Sequence, residues 1–245
     1  LPHQFMPRVE WDLFYRMRDS QNNPPQGRRH GDGITTLALG SLDLVQHAIV
    51  EIIDTNVPGD LLEAGVWRGG LAILMAATLR AYGQRGQRIL YAADSYAGIP
   101  IVDHDQGVNQ WTERYDVSRD EVENNFLRYG LLDEGVVFLE GLFNETLREG
   151  LPERLSLIHA DGDAYDSTMD VLRAAYPRLS VGGYVIIDDF HLPGCRDAVI
   201  EYRKERNITE PILPVPHDYV MTCRRGVGTW VDPTVGGDVA QGPRS

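Results

Sequence analysis

The chain's 245 residues suffice for one substantial hydrophobic core, and a single domain with extensions is expected. Its 23 basic and 36 acidic side chains leave a formal net charge of −13, which argues against a protein that grips a nucleic-acid backbone. No apolar run reaches the 18 residues of a membrane span, so no membrane partner is expected either.

No signal peptide opens the chain, although it starts at Leu1 rather than Met, which leaves its natural start open. Cys195 and Cys223 stand apart without metal-type spacing, as suits the reducing cytoplasm where the protein is expected. Lys204 is the one lysine; all other basic side chains are arginines.

Residues 1–33 lack periodicity, and "QNNPPQGRRHGDG" reads as a loop. Leu42, Val45, Ile49, Ile52 and Ile53 make a helical stripe that "NVPGD" ends. "LLEAGV" is a short strand, "GGLAILMAATLRAYG" a helix ending near Gly83, and "RILYAADS" a second strand. A polar segment from Tyr96 to Asp116, containing His104 and Trp111, reads as a lid over a pocket. "SRDEVENNFLRYG" is a helix with Ser118 as N-cap and Glu121 three residues on, a capping-box pattern. "VVFLEG" and "LSLIHAD" are strands. "DSTMDVLRAAYPRL" is a helix with Met169, Leu172, Ala175 and Leu179 on one face. "GGYVIIDD" is a strand, and the next helix buries Cys195, Ala198, Val199 and Tyr202. "ILPVP" and "GVGTWVD" read as final strands, and the tail after Pro233 as unstructured.

The strands are continuous apolar runs, so both faces are covered, and they alternate with helices. That pattern predicts an α/β fold with a doubly wound, mostly parallel sheet. Ligands in such folds bind beyond the carboxyl ends of the strands, where Asp161, Asp163, Asp188 and Asp189 all fall.

"LLEAGVWRGG" sets Glu63, Gly65 and Gly69 at a strand-to-helix turn, where glycines let backbone approach a ligand. The spacing is not that of the dinucleotide fingerprint, which sets a nicotinamide dehydrogenase aside, and a carboxylate there would repel a pyrophosphate. It suits a cofactor bearing positive charge, such as the sulfonium and amine of S-adenosylmethionine. Asp94, ending the second strand, is placed for ribose hydroxyls. The plainer alternative has Glu63 capping a turn and Asp94 solvated.

Asp161 and Asp163, two apart at a strand end, point the same way in extended backbone, and Asp188 and Asp189 end a neighbouring strand. Such carboxylates repel unless a cation joins them, and an all-oxygen set favours a hard ion, magnesium first. The plainer alternative has Asp166 and Ser167 capping the next helix and Asp188–Asp189 as a polar strand end. A methyl donor beside a dication suggests O-methylation, with the metal lowering an alcohol's pKa and Asp163 taking the proton. His159 and His191 are competing bases; His159 reads as a packed strand histidine, Cys195 as core, and Lys204 as solvated.

The stretches "GDLLEAGVWRGG", "ADSYAGIP", "NNFLRYGLLDEGVVFLEGLF", "ADGDAYDSTMDVL", "YPRLSVGGYVIIDDF" and "GCRDAVIEYR" resemble the macrocin O-methyltransferase (TylF-like) family. The resemblance implies a class I, Rossmann-like methyltransferase dependent on S-adenosylmethionine and Mg2+, acting on a deoxysugar hydroxyl of a glycoside or nucleotide sugar in antibiotic biosynthesis. It implies Asp161, Asp188 and Asp189 as metal ligands and Asp163 as base. Glu63, Gly65, Asp94, Ser95 and Gly141 would hold the cofactor, with Thr35 near its amino-acid end. It also implies a homo-oligomer built through the N-terminal segment. The division is then an extension over 1–33, a methyltransferase domain over 34–232 and a flexible tail over 233–245. Two departures are Tyr96–Ala97, where relatives have an aromatic–acidic pair, and His159–Ala160 before the aspartate. The alternatives are a catechol- or phenol-type O-methyltransferase, which would want a lysine base, and an S-adenosylmethionine-binding module without chemistry.

Overall fold

The computed structural model describes residues 33–100, 115–214 and 221–226. Helix α1 (Leu39–Asp54) leads into strand β1 (Asp60–Ala64), followed by α2 (Gly70–Ala81), β2 (Leu90–Asp94) and α3 (Arg119–Arg128). Then come β3 (Val136–Glu140), α4 (Phe143–Gly150), β4 (Leu155–Ala160), α5 (Tyr165–Ala175), a 3-10 turn (Tyr176–Arg178) and β5 (Leu179–Ile187). Helix α6 (Pro193–Arg206) and the short strands β6 (Leu213–Pro214) and β7 (Met221–Arg224) complete the described chain.

Among the described residues the strands form one seven-stranded sheet in the order β3-β2-β1-β4-β5-β7-β6. Strands β1 to β5 run parallel, β7 pairs antiparallel with β5, and β6 antiparallel with β7. The doubly wound, mostly parallel expectation therefore holds. The order reverses between β1 and β4, and a cleft for ligands opens beyond the carboxyl ends at such a switch point.

Alternate residues of the strands feed two cores. Leu61, Leu90, Ala92, Leu157 and Ile186 pack under α1, α2 and α3, whereas Leu62, Ala93, Ile158, Val185 and Ile187 pack under α4, α5 and α6. Consecutive Leu61 and Leu62 are both fully buried, each contributing about 2 kcal/mol of burial, which is why the strand lacks a polar face.

Three features depart from the sequence-based expectation. Helix α4 was not predicted; only Leu147 is fully buried and Phe143 packs beside it, an apolar pair too brief to announce an eight-residue helix. Leu179 does not extend the face of α5: Pro177 ends the helix in a 3-10 turn, and Leu179 opens β5. The last described strand is Met221–Arg224 rather than "GVGTWVD", whose Gly226 lies in a turn and whose remaining residues fall outside the described ones, as does the tail. The extension over 1–33, apart from Gly33, and the lid residues His104 and Trp111 lie outside them as well. Of the described helices none is long and apolar enough to cross a membrane.

The Ser118 cap is formed, its hydroxyl accepting the Glu121 N–H at 3.3 Å, while the Glu121 carboxylate pairs with Arg68.

Candidate active site

A cavity of about 610 Å³ opens at the carboxyl rim of the parallel strands. Gly65, Asp94, Ser95, Gly141, Asp161, Asp163, Asp188 and Asp189 of the predicted set all line it. Thr35, Glu63 and Gly69 do not; they stand behind its wall.

The turn after β1 lies directly against the one after β4. Gly65 has φ +94°, and a Cβ there would come 2.1 Å from the Asp161 carbonyl oxygen, so no other residue fits. Asp94 ties this turn to its own: Oδ2 accepts the Val66 and Trp67 N–H groups at 2.7 and 3.0 Å, and Oδ1 accepts that of Tyr96 at 2.9 Å. Ser95 donates its hydroxyl to the Gly98 carbonyl at 2.6 Å, and the Gly141 N–H reaches the Asp94 carbonyl at 2.9 Å. Gly69, at φ +86°, is the N-cap of α2.

Glu63 is 2% exposed. Its carboxyl accepts a hydrogen bond from the Ala72 N–H inside the first turn of α2, while Oε2 has no partner. Burial first, and then the charge of Asp94, pushes this carboxyl well above the usual carboxylate range. Thr35 is also buried, its hydroxyl accepting the Leu37 N–H at 3.1 Å, and its neighbour Thr36 takes the place on the cavity wall.

The carboxylates of Asp161, Asp163 and Asp189 converge, each offering an oxygen within 4.8 Å of the others. The extended pleat is not what aims them. Strand β4 ends at Ala160 and β5 at Ile187, and left-handed backbone at Asp163 (φ +56°) and Asp189 (φ +51°) turns those side chains inward. Asp188 lines the cavity but stands outside this triplet; its N–H donates to the Ala160 carbonyl at 2.9 Å and its Oδ1 accepts the Asp189 N–H at 3.0 Å. Burial raises the Asp161 carboxyl well above the ordinary range, with Asp188, Asp163 and Asp189 adding repulsion. Asp163 is raised in the same direction by burial, by the charge of Asp189 and by a hydrogen bond with it.

This all-oxygen, half-buried triplet suits a hard dication, and among the described residues no Lys, Arg or His lines the cavity. Asp166 and Ser167 line the cavity too. The N-cap of α5 is Ala164, without a side-chain cap bond, so the capping alternative for that pair does not describe the helix start.

His159 lies buried on β4 beside Glu63 in register, away from the cavity. Burial pushes its imidazole down to about 4, which fits a packed strand histidine. His191 stands at the rim with Nδ1 3.6 Å from Asp189 Oδ1. Cys195 is core, its thiol donating to the Asp188 carbonyl at 3.3 Å, and Lys204 is exposed on the last turn of α6.

Sequence reasoning missed the aromatic wall. Trp67, left-handed at φ +46°, and Tyr115 line the cavity with their rings edge-on at 6.0 Å. The only available signal was Trp67 itself, inside the glycine-rich turn.

A profile of the macrocin-O-methyltransferase (TylF) family matches residues 17–224. Over 190 residues the chain is 43% identical to mycinamicin III 3''-O-methyltransferase of Micromonospora griseorubida, covering 74% of each. Over 188 residues it is 44% identical to 8-demethyl-8-(2,3-dimethoxy-alpha-L-rhamnosyl)-tetracenomycin-C 4'-O-methyltransferase of Streptomyces olivaceus, covering 74% of this chain and 72% of the relative. The fold superimposes on the O-methyltransferase NovP with a TM-score of 0.76 and 40% identity, over 79% of this chain and 83% of that one. With the profile spanning most of its length and relatives this similar, the chain belongs to the macrocin O-methyltransferase (TylF) family and is an O-methyltransferase.

Proposed function

We propose that this protein methylates a hydroxyl of a deoxysugar, carried by a natural product or by a nucleotide, using S-adenosylmethionine and Mg2+. The observation that carries the reading is the carboxylate triplet Asp161, Asp163 and Asp189 within 4.8 Å, in the same cavity as the Gly65 turn and Asp94. The sugar is supported by the relatives, one of which is named for a rhamnosyl substrate.

Asp161 and Asp189 of the converging triplet would hold the metal, with Asp188, which lines the same cavity, completing the set. Gly65 and Gly69 would shape the donor turn, Asp94 and Ser95 would take the ribose, Gly141 would serve the adenine side, and Glu63 and Thr35 would support the amino-acid end. S-adenosylmethionine supplies an electrophilic methyl group on a sulfonium, and the dication, when bound, makes the acceptor hydroxyl more acidic. Asp163, on the cavity wall, would accept the proton of the acceptor hydroxyl. Burial and the charge of Asp189 raise the proton affinity of this carboxyl before any ion joins them. The aromatic wall and the half-buried rim keep water from competing.

A phenol-type acceptor with a lysine base is less well supported: Lys204 sits in the last turn of α6 and does not line the cavity. The reading extends to a homo-oligomer built through residues 1–33.

Methyl transfer measured over a panel of glycosides and nucleotide sugars, with and without a chelator, tests this function. Activity on at least one sugar should vanish with chelator and return with Mg2+. Asp163→Asn should cut turnover by about 10²–10⁴-fold while donor binding persists. Turnover indifferent to the chelator would remove the metal from the scheme.

A further inference from the structure

Arg68 follows Trp67 in the turn between β1 and α2, and its side chain reaches three separate stretches of chain. Its Nη1 donates to the Gly33 carbonyl at 3.1 Å, and its Nε pairs with Glu121 Oε1 of α3 at 3.2 Å. The guanidinium carbon stands 4.9 Å from the centroid of the Trp67 ring, within cation–π range. The Arg68 carbonyl adds a second tie to α3, accepting from Asn125 Nδ2 at 2.9 Å.

Each of these stretches delivers cavity wall. Thr36, Leu37 and Ala38 follow Gly33; Trp67 lines the cavity itself; Tyr115, edge-on to Trp67, leads into α3. Trp67 adopts a left-handed backbone, uncommon for so bulky a residue, and its N–H donates to Asp94 Oδ2. The Trp67 peptide therefore joins the indole to the Asp94 carboxylate, which the Val66 and Tyr96 N–H groups also hold, and the Arg68 guanidinium covers the indole from one side.

The ion pair alone does not account for this arrangement. Its side chains are 25% and 48% exposed, and pairs so solvated contribute little. What a lysine could not reproduce is the planar fork that bonds Gly33 while it stacks on the ring.

We infer that Arg68 is a positioning residue for the methyl donor: it fastens Trp67, the segment after Gly33 and α3 together so that Asp94 is presented to the cofactor. This rests on the reading of the Gly65–Asp94 side as the donor site.

The test is calorimetric titration of the full chain with S-adenosylhomocysteine and, separately, with Mg2+. Arg68→Lys should weaken S-adenosylhomocysteine about tenfold, the scale of a partly desolvated cation–π contact, and leave Mg2+ within about twofold. Glu121→Gln, which spares the stack, should cost no more than about threefold. In a Trp67→Leu background, Arg68→Lys should cost little further affinity, because the two act as a unit. Wild-type-like binding by Arg68→Lys, equal loss of both ligands, an equal loss in Glu121→Gln, or additivity with Trp67→Leu would each overturn the assignment. A wild-type chain that does not take up S-adenosylhomocysteine would instead remove the donor-site reading, and this inference with it.

Discussion

Glu63 is the buried carboxyl whose titration carries the clearest consequence. Its folded-state pKa lies above the unfolded value, so any stability it confers is present at low pH and is lost as pH rises through the folded value. An amide in its place would still accept from the Ala72 N–H, without a charge to desolvate. Glu63→Gln should therefore gain stability over the wild type as pH rises, on the order of 1 kcal/mol at pH 8, in urea titrations at pH 5 and pH 8. A gap that does not widen with pH would mean that the carboxyl is not strained by burial. Nearby, backbone conformation adds its own cost. Of the six described non-glycine residues with positive φ, Asn56 and Asn207 follow helices, where asparagine tolerates it. The other four, Trp67, Tyr96, Asp163 and Asp189, stand at or beside the cavity, at about 1–3 kcal/mol each. Function, rather than stability, explains that placement.

The turn between β1 and α2 shows how closely two elements can be matched. A Cβ at Gly65 would meet backbone of the β4 turn, whereas one at Gly83, past the end of α2, would meet nothing within 4 Å. Both have positive φ, so Gly83→Ala isolates the conformational cost, about 1 kcal/mol, and Gly65→Ala adds the clash, for a total of at least about 3 kcal/mol. Thermal unfolding of the two variants measures the difference; similar melting points would mean that the β4 turn yields easily. Elements of this kind were legible in the sequence wherever apolar period or a glycine marked them, as in β1, β4 and the stripe of α1. Helix α4 was not, because Phe143 and Leu147 alone make too short a pattern, and Leu179 misled because it continues the spacing of Ala175 across Pro177. At the site, the aspartates were legible because they follow apolar strands, and their convergence was expected from those strand ends. The means was not legible, since left-handed backbone at Asp163 and Asp189 leaves no mark in residue type. Nor was the Trp67–Tyr115 contact, between positions far apart in the chain.

For the molecule as a whole, excess negative charge meets a cavity in which Asp94, Asp161, Asp163, Asp166, Asp170, Asp188 and Asp189 face one space. The proposed dication would bind the folded chain far better than the unfolded one. Mg2+ at 100 times its dissociation constant should stabilise the fold by roughly 2.7 kcal/mol. The melting temperature should rise with Mg2+, fall back with chelator, and respond much less to sodium chloride of equal ionic strength, which only screens. An equal response to both salts would mean general charge repulsion and no bound ion. The lone lysine offers something practical. Helix α6 starts at the rim, where Cys195 touches Asp188, and Lys204 lies about 14 Å further along its axis, exposed and not among the residues that line the cavity. Coupling to an amine-reactive bead through that side chain would tether the molecule by its far end, leaving the entrance open to bulky glycosides in solution.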